Sequence, residues 1–215
     1  MHHIFFTMAA LIASPPSFIS GGIAANSSPS AWVERFVSLP GNHFYCSVPR
    51  DFIADSFNHL SLPDLPCQRE ALSLILSTAT GGTMPPPRLE ASARVLYGLI
   101  HARFILTPRG MEAMRRKHAA SDFGRCPRTL CHGESLLPTG ASDVLGRGCV
   151  KGFCPRCCDL YDTPSTLDGA SWGTTFPHLF TQQNIRERWG PFDHKGKFQP
   201  RVFGFRLRGP EERHY

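Results

Sequence analysis

Four of the eight cysteines occur in two close pairs, and this pattern constrains the fold more than any other feature of the sequence. The first pair, Cys126 and Cys131, is a C-x4-C motif, and the second, Cys154 and Cys157, is a C-x2-C motif. Paired thiols of this kind are typical of a zinc ion held in a tetrahedron. Because protein would fill all four positions, the pattern predicts a structural rather than a catalytic zinc. The alternatives are two disulfides or free thiols.

The other thiols have no regular spacing. They are Cys46, Cys67, Cys149 and Cys158. Unpaired thiols beside a zinc motif favour a reducing compartment. Cys149 and Cys158 lie close to the motif in sequence, so either is an alternative ligand. Between the two pairs, residues 136–150 alternate short apolar runs with Gly and Pro, which predicts strands and turns.

Apolar periodicity predicts helices before the cysteine pairs. The most regular pattern covers residues 89–106, where apolar residues recur at three- and four-residue steps. Asp51 is predicted to cap a short helix with Phe52, Ile53 and Phe57 on its apolar side. Three more helices are predicted. One begins near Trp32, a second extends from Pro66 to Thr78, and a third extends from Pro108 to about Ala119, with Thr107 as its N-cap.

These patterns predict an α+β chain with four parts. Residues 1–31 are a flexible leader, 32–121 an all-helical domain, 122–180 a zinc-ribbon β module and 181–215 a C-terminal tail. In the tail, residues 201–208 alternate like a single strand, which places Phe203, Phe205 and Leu207 on one face. Such an isolated strand needs a partner with which to pair.

The N-terminus carries an ambiguous targeting signal. Residues 4–13 form an apolar run like the core of a signal peptide, but no Lys or Arg precedes Arg35. The run is also too short to span a bilayer. We therefore expect no membrane association, and an extension of the chain is favoured over a working signal.

Several enzymatic functions are disfavoured. The sequence has neither a Gly-rich phosphate loop nor a His-Arg-Asp loop, so the tripeptide Asp122-Phe-Gly is interpreted as a coincidence. A thiol redox role at Cys154 and Cys157 lacks the βαβ context. His178 is interpreted as a packed, hydrogen-bonded histidine rather than a ligand or base.

A nucleic-acid-binding zinc ribbon is the main alternative function. The formal charge is +6 and the isoelectric point about 9.0, and the tail is basic. However, aromatic residues do not interleave with basic ones in the cysteine motifs. The basic run 115–117 is favoured as a solvated helix end that complements the helix dipole.

Six motifs in a fixed order make a family resemblance visible. They are Gly41-Asn-x-Phe-x-Cys46, Leu96-Tyr-Gly-Leu-Ile-His-Ala-Arg103, Asp122-Phe-Gly-x-Cys-Pro-Arg-x-x-Cys131, Cys154-Pro-x-Cys157, Asp168-Gly-Ala-x-x-Gly-Thr-x-Phe-Pro-His178 and Pro200-Arg-x-x-Gly-Phe205. Together they resemble the regulatory (beta) subunit of casein kinase II. The resemblance extends from about Trp32 to Pro210.

The resemblance implies a non-catalytic regulatory protein. Members of this family form homodimers through the zinc ribbon and dock catalytic alpha subunits through the C-terminal region, giving an α2β2 holoenzyme that acts on protein substrates and recruits regulators. The four paired cysteines match the family's zinc ligands. The implied location is the cytoplasm and nucleus.

Two further sets of residues match family positions. The dimer set is Pro127, Thr129, Leu160 and Tyr161, and the kinase-docking set is Phe203, Phe205 and Leu207. Thr129 replaces a residue that is usually apolar, and Phe203 replaces a tyrosine. Large aromatic anchors are typical of protein–protein hot spots.

The chain also departs from the family in two regulatory segments. The family has serines followed by acidic residues near the N-terminus as an autophosphorylation site, but Ser27, Ser28 and Ser30 have only Glu34 nearby. The family also has a strongly acidic loop where this chain has residues 77–88, which contain no acidic residue. Both kinds of regulation are therefore open to question here.

Overall fold

A computed structural model describes residues 28–78, 84–185, 201–203 and 205–206. Helices dominate up to residue 120, and short antiparallel strands follow. The helices are α1 (Ala31–Ser38), α2 (Arg50–Ala54), α3 (Gln68–Ile75), α4 (Pro87–Phe104), α5 (Pro108–Ala120) and α6 (Phe176–Asn184). The strands are β1 (Leu137–Thr139), β2 (Lys151–Phe153), β3 (Leu160–Asp162), β4 (Arg201–Val202) and β5 (Phe205–Arg206). The α+β class predicted from sequence is confirmed.

Helix α4 is the centre of the helical part. Pro87 stands at its first position, where a missing N–H costs nothing. The apolar face predicted from periodicity is buried, including Leu96, Ile100 and Phe104, and it packs against α3. Next, Thr107 caps α5 by accepting a hydrogen bond from the Gly110 N–H at 3.2 Å, as predicted.

The last residues of the expected leader, 1–31, take part in the start of helix α1. Ser30 caps α1: its hydroxyl accepts from the Val33 N–H at 3.2 Å and donates to the Ile75 carbonyl. Its side chain is buried, so Ser30 offers no accessible hydroxyl for phosphorylation. Ser28 is exposed, while Ser27 lies outside the described residues.

The prediction for the Asp51 helix is wrong in two respects. Helix α2 begins at Arg50, and the Asp51 carboxylate pairs with Arg109 at 2.9 Å instead of capping the helix. Phe57 is 75% exposed rather than buried. The reason is that a separate 3₁₀ helix begins after α2. The Asp55 carboxylate caps it by accepting a hydrogen bond from the Phe57 N–H at 2.9 Å, and this turn directs Phe57 outward.

Strands β1, β2 and β3 form one antiparallel sheet in that order. Leu137 lies opposite Phe153, which in turn lies opposite Leu160. Gly152 allows β2 to pass close to a core side chain, because a Cβ there would lie 2.7 Å from the Leu136 Cδ1. The sheet therefore connects the segments that carry the two cysteine pairs.

Helix α6 was not predicted, and the expected module boundary at residue 180 falls inside it. Pro177 lies in its first turn, and Phe176 and Phe180, four residues apart, are both buried. The signal was therefore present in the sequence as a proline followed by apolar residues at helical spacing.

The C-terminal strand pattern is a hairpin rather than a single strand. Val202 pairs with Phe205, and Phe203 occupies the turn between β4 and β5 with φ 50°. The two strands therefore pair with each other, and the segment is not an isolated single strand. Leu207 lies outside the described residues.

Within the described ranges, no helix is both long and apolar enough to cross a membrane.

A buried hydrogen-bond network joins the helical part to the segment after the sheet. His101, on α4, accepts at Nε2 from the Cys46 N–H at 3.2 Å, so its Nδ1–H donates to the Ser171 carbonyl at 2.8 Å. The Tyr45 hydroxyl donates to the Ser171 Oγ at 3.0 Å. The close approach requires Gly98, since a Cβ there would clash with the Ser171 hydroxyl.

This network gives the first prediction, a pH-dependent stability. Burial lowers the pKa of His101 from its ordinary 6.5 to about 4. Between those pH values the unfolded chain binds a proton that the folded chain does not, so stability falls as the pH drops, by roughly 3 kcal/mol. Urea unfolding at pH 7, 6, 5 and 4, compared with a His101→Gln variant, isolates this contribution. If the free energy of unfolding changed equally with pH in the two proteins, the prediction would be refuted.

Candidate metal centre

The first cysteine pair lies on a tight turn held by backbone hydrogen bonds. The Cys126 N–H donates to the Glu134 carbonyl at 2.8 Å, and the Cys131 N–H donates to the Arg128 carbonyl at 2.9 Å. His132 follows with φ 52°, the left-handed conformation that ends the turn. Both sulfurs therefore point to the inside of the loop, and both cysteines are buried.

The second pair repeats this arrangement after β2. The Cys154 N–H donates to the Asp159 carbonyl at 3.0 Å, and the Cys158 N–H donates to the Cys154 carbonyl at 2.9 Å. Backbone N–H groups of Arg156 and Cys157 approach the Cys154 sulfur. Such N–H groups stabilise a thiolate.

The structure brings the four predicted cysteines to one point. Their four sulfurs lie within 4.8 Å of one another, and all four residues are buried. The Sγ atoms of Cys126 and Cys157, one from each pair, are 3.9 Å apart. Neighbouring sulfurs in a tetrahedron with Zn–S bonds of about 2.3 Å are about 3.8 Å apart. The site therefore fits one metal ion, and a soft, all-sulfur donor set suits zinc.

The remaining cysteines do not join this cluster. None of the eight cysteines is joined in a disulfide, so the two disulfides considered above are not formed. Cys149 and Cys158 are exposed, and the Cys158 sulfur approaches the Pro155 carbonyl at 3.8 Å. Neither therefore takes the place of a cluster member.

The electrostatics of the cluster favour a bound cation. Burial raises the pKa of Cys131 to about 12 and raises the pKa of Cys154 further. Burial also acts on Cys157, but hydrogen bonds from the Tyr161 hydroxyl and the Asp159 N–H outweigh it, and the pKa of Cys157 is lowered. Burial therefore opposes ionisation of Cys131 and Cys154, and a divalent cation would supply the charge that ionises them.

Tyr161 has a role that its position did not reveal. It was expected at the dimer face, yet its hydroxyl lies 3.2 Å from the Cys157 sulfur. The side chain is half-buried on β3. Nothing in the sequence distinguishes a tyrosine that contacts a thiol from one that faces solvent, because the contact depends on how β3 returns beside the second pair.

The other expected dimer residues are exposed and lie on the first cysteine turn and at the start of β3. Pro127 and Thr129 are exposed, and Leu160 is 58% exposed. Leu130, which the sequence reading missed, is also exposed and adds a second large apolar side chain. Single exposed leucines are common, but two beside a rigid turn are suited to burial in a protein contact.

A partly exposed ion pair links the two turns. The Arg128 guanidinium contacts the Asp159 carboxylate at 2.6 Å. Each residue belongs to the turn of a different cysteine pair. The pair is partly exposed and is worth little by itself, but it helps to keep the two turns in register.

The hairpin carries the expected docking aromatics in an exposed state. Phe203 is 97% exposed and Phe205 is 78% exposed. Exposing two phenylalanines to water is unfavourable unless they are covered by a partner. They do not close the core of the described chain, which was the other interpretation of these residues.

Residues that resembled catalytic groups are structural. The Phe123 ring is buried and packs on Phe44 with centroids 5.4 Å apart, while Asp122 pairs with Lys117 at 2.8 Å. The prediction for His178 is wrong: it is exposed and lies near the Phe153 ring, with centroids 5.9 Å apart. It lies on the outward side of α6, between the buried Phe176 and Phe180.

Comparison with known proteins agrees with the geometry. Residues 31–206 match the family model described as casein kinase II regulatory subunit. A Drosophila melanogaster protein named casein kinase II subunit beta' is 43% identical over 190 residues, 85% of this chain and 86% of that protein. Casein kinase II subunit beta of Schizosaccharomyces pombe is 42% identical over 82% of this chain and 78% of its own length. Subunit beta-3 of Arabidopsis thaliana is 42% identical over 84% and 68%.

Proposed function

The chain belongs to the casein kinase II regulatory subunit family, and from this membership we propose that it is a non-catalytic subunit that docks, stabilises and modulates the kinase's catalytic alpha subunits. The observation that carries the proposal is the hairpin with two almost fully exposed phenylalanines, Phe203 and Phe205. We further propose that the protein acts in the cytoplasm and nucleus.

Zinc has an architectural role in this proposal. Bound zinc would cross-link the two cysteine turns, and it would supply no reaction chemistry because protein sulfur fills its coordination sphere. The turns would then present Pro127, Thr129, Leu130 and Leu160 as a rigid face for a second copy of the chain. Two copies would carry two docking hairpins, one for each of two catalytic alpha subunits. This is the basis for a tetramer of two alpha and two beta subunits.

The direct test is the composition of the native complex. Affinity purification of the full-length chain from its own cells, followed by native mass spectrometry, should show two copies of this chain with two kinase catalytic subunits. A preparation that lacks a kinase subunit and instead binds DNA in a salt-dependent manner would favour the nucleic-acid alternative.

The loop composition predicts weak regulation by polyamines. In the family the acidic loop is regarded as a brake on the kinase and a binding place for polycations, an electrostatic effect that decays over about 8 Å at physiological salt. Residues 77–88 contain no carboxylate and include Arg88. Spermine should therefore stimulate the reconstituted holoenzyme only slightly, compared with one built on a beta subunit that has an acidic loop. Equal stimulation in the two assays would show that polyamines act elsewhere.

A further inference from the structure

A cleft between α2 and α3 has a composition that neither the metal centre nor the hairpin explains. Its volume is about 580 Å³. Helix α3 forms one wall, because Arg69, Leu72, Ser73 and Leu76 recur at helical spacing on one side, while Ala71 and Ile75 face the core. Arg50, the first residue of α2, also lines the cleft. We call this the α2–α3 cleft.

The charge of the α2–α3 cleft is uniformly positive. None of the described residues that line it is acidic. Within the described part of the chain, neither Arg50 nor Arg69 has an ion-pair partner, whereas the neighbouring Asp51 carboxylate is already paired with Arg109. Glu70 follows Arg69 but is rotated by about 100° around α3. The two guanidinium groups are therefore available to an outside anion.

The backbone around the cleft is held in place. The Arg50 N–H donates to the Ser28 carbonyl at 3.3 Å, and the hydroxyl of Ser30 donates to the Ile75 carbonyl at the core side of α3. The beginning of α2 and the body of α3 are thus both tied to the segment before α1. A ligand would meet two guanidinium groups carried by anchored elements.

We propose that the α2–α3 cleft binds an acidic peptide segment of another protein, with carboxylate or phosphate side chains contacting Arg50 and Arg69. Guanidinium groups bind such groups through paired, charge-assisted hydrogen bonds. Leu72 and Leu76 offer apolar surface to the peptide's aliphatic stems, and Ser73 offers a hydroxyl. The cleft is an open depression rather than an enclosed cavity, which suits an extended peptide, and the described residues that line it include no aromatic side chain on which a nucleic-acid base could stack.

The test is peptide binding by the purified full-length chain without any kinase subunit, so its outcome is independent of the proposed function. Fluorescein-labelled hexaglutamate should bind, and a Gly-Ser peptide of equal length should not. An Arg50→Gln/Arg69→Gln variant should bind hexaglutamate about tenfold more weakly or worse. Binding by the unaltered chain should also weaken steeply with added salt.

A matched variant separates the cleft from the overall positive charge. Arg35→Gln/Arg116→Gln removes the same charge at exposed helical positions outside the cleft and should bind as the unaltered chain does. Equal loss in both double variants, or no binding of hexaglutamate at all, would overturn the proposal. It would also be overturned if a ten-residue oligothymidylate bound and the acidic peptide did not.

Discussion

Replacing Cys126 with Ser should release the metal and dissociate the dimer into monomers. A serine hydroxyl is a poor ligand beside three thiolates, and structural zinc supplies on the order of 10 kcal/mol of folding free energy in small zinc modules. The substitution should weaken dimerisation as well as metal binding, because the turn around Cys126 carries most of the proposed dimer face. The measured zinc content should fall from about one equivalent per chain to nearly none, and sedimentation should show a monomer.

The exposed cysteine Cys149 offers a matched control. Cys149→Ser makes the same chemical change a short distance from the cluster, and both metal content and dimer should persist. Removing zinc from the unaltered protein with a chelator should reproduce the Cys126→Ser result. A chain that remains folded and dimeric after the metal is removed would contradict the architectural role of zinc.

Truncating both hairpin aromatics should abolish kinase binding while leaving the rest of the protein intact. Each hot-spot truncation typically costs about 2 kcal/mol or more, which is roughly thirtyfold in Kd. Phe203 and Phe205 are so exposed that their removal leaves no cavity in the described chain. The Phe203→Ala/Phe205→Ala variant should therefore keep its zinc, its dimer and its thermal unfolding temperature, yet fail to retain the catalytic subunit in a pull-down.

Phe57 supplies the control for this experiment. It is an equally large aromatic, 75% exposed, in a 3₁₀ turn outside the hairpin. Phe57→Ala should leave kinase binding unchanged. If the hairpin variant still bound the kinase, the docking surface would lie elsewhere; if it lost zinc or unfolded, the aromatics would have a structural role instead.

Spacing was sufficient to predict where the thiols converge, but not what surrounds them. Close pairs of cysteines place two sulfurs on each turn by local geometry, so the meeting of Cys126 with Cys157 required only a sheet that returns the chain. The hydroxyl of Tyr161 beside Cys157 depends on the register of β3, which no local pattern specifies. That Phe203 and Phe205 dock a kinase and that Thr129 lies in a dimer face stay predictions.

Helices were predicted best where they bury a full apolar stripe. Helix α4 has five turns with regular apolar spacing, and Pro87 at its first position marks its start, so the periodicity and the start signal agree. Phe57 was misplaced because a new cap at Asp55 interrupts the pattern after one turn. Helix α6 was missed because its first turn, Phe176 to His178, forms the end of a motif that was used only for the family resemblance, although Pro177 indicates a helix start.

The segment from Asn42 to Val48 has no helix or strand, yet side chains of α4 hold its amides. His101 accepts from the Cys46 N–H, and the Tyr97 hydroxyl accepts from the Val48 N–H at 3.2 Å while it donates to the Cys46 carbonyl at 2.8 Å. Because these partners lie in the core, the amides are released only when α4 itself is lost. Hydrogen exchange at Cys46 and Val48 should therefore follow global unfolding, and we expect the amides of this irregular loop to exchange as slowly as those of α4.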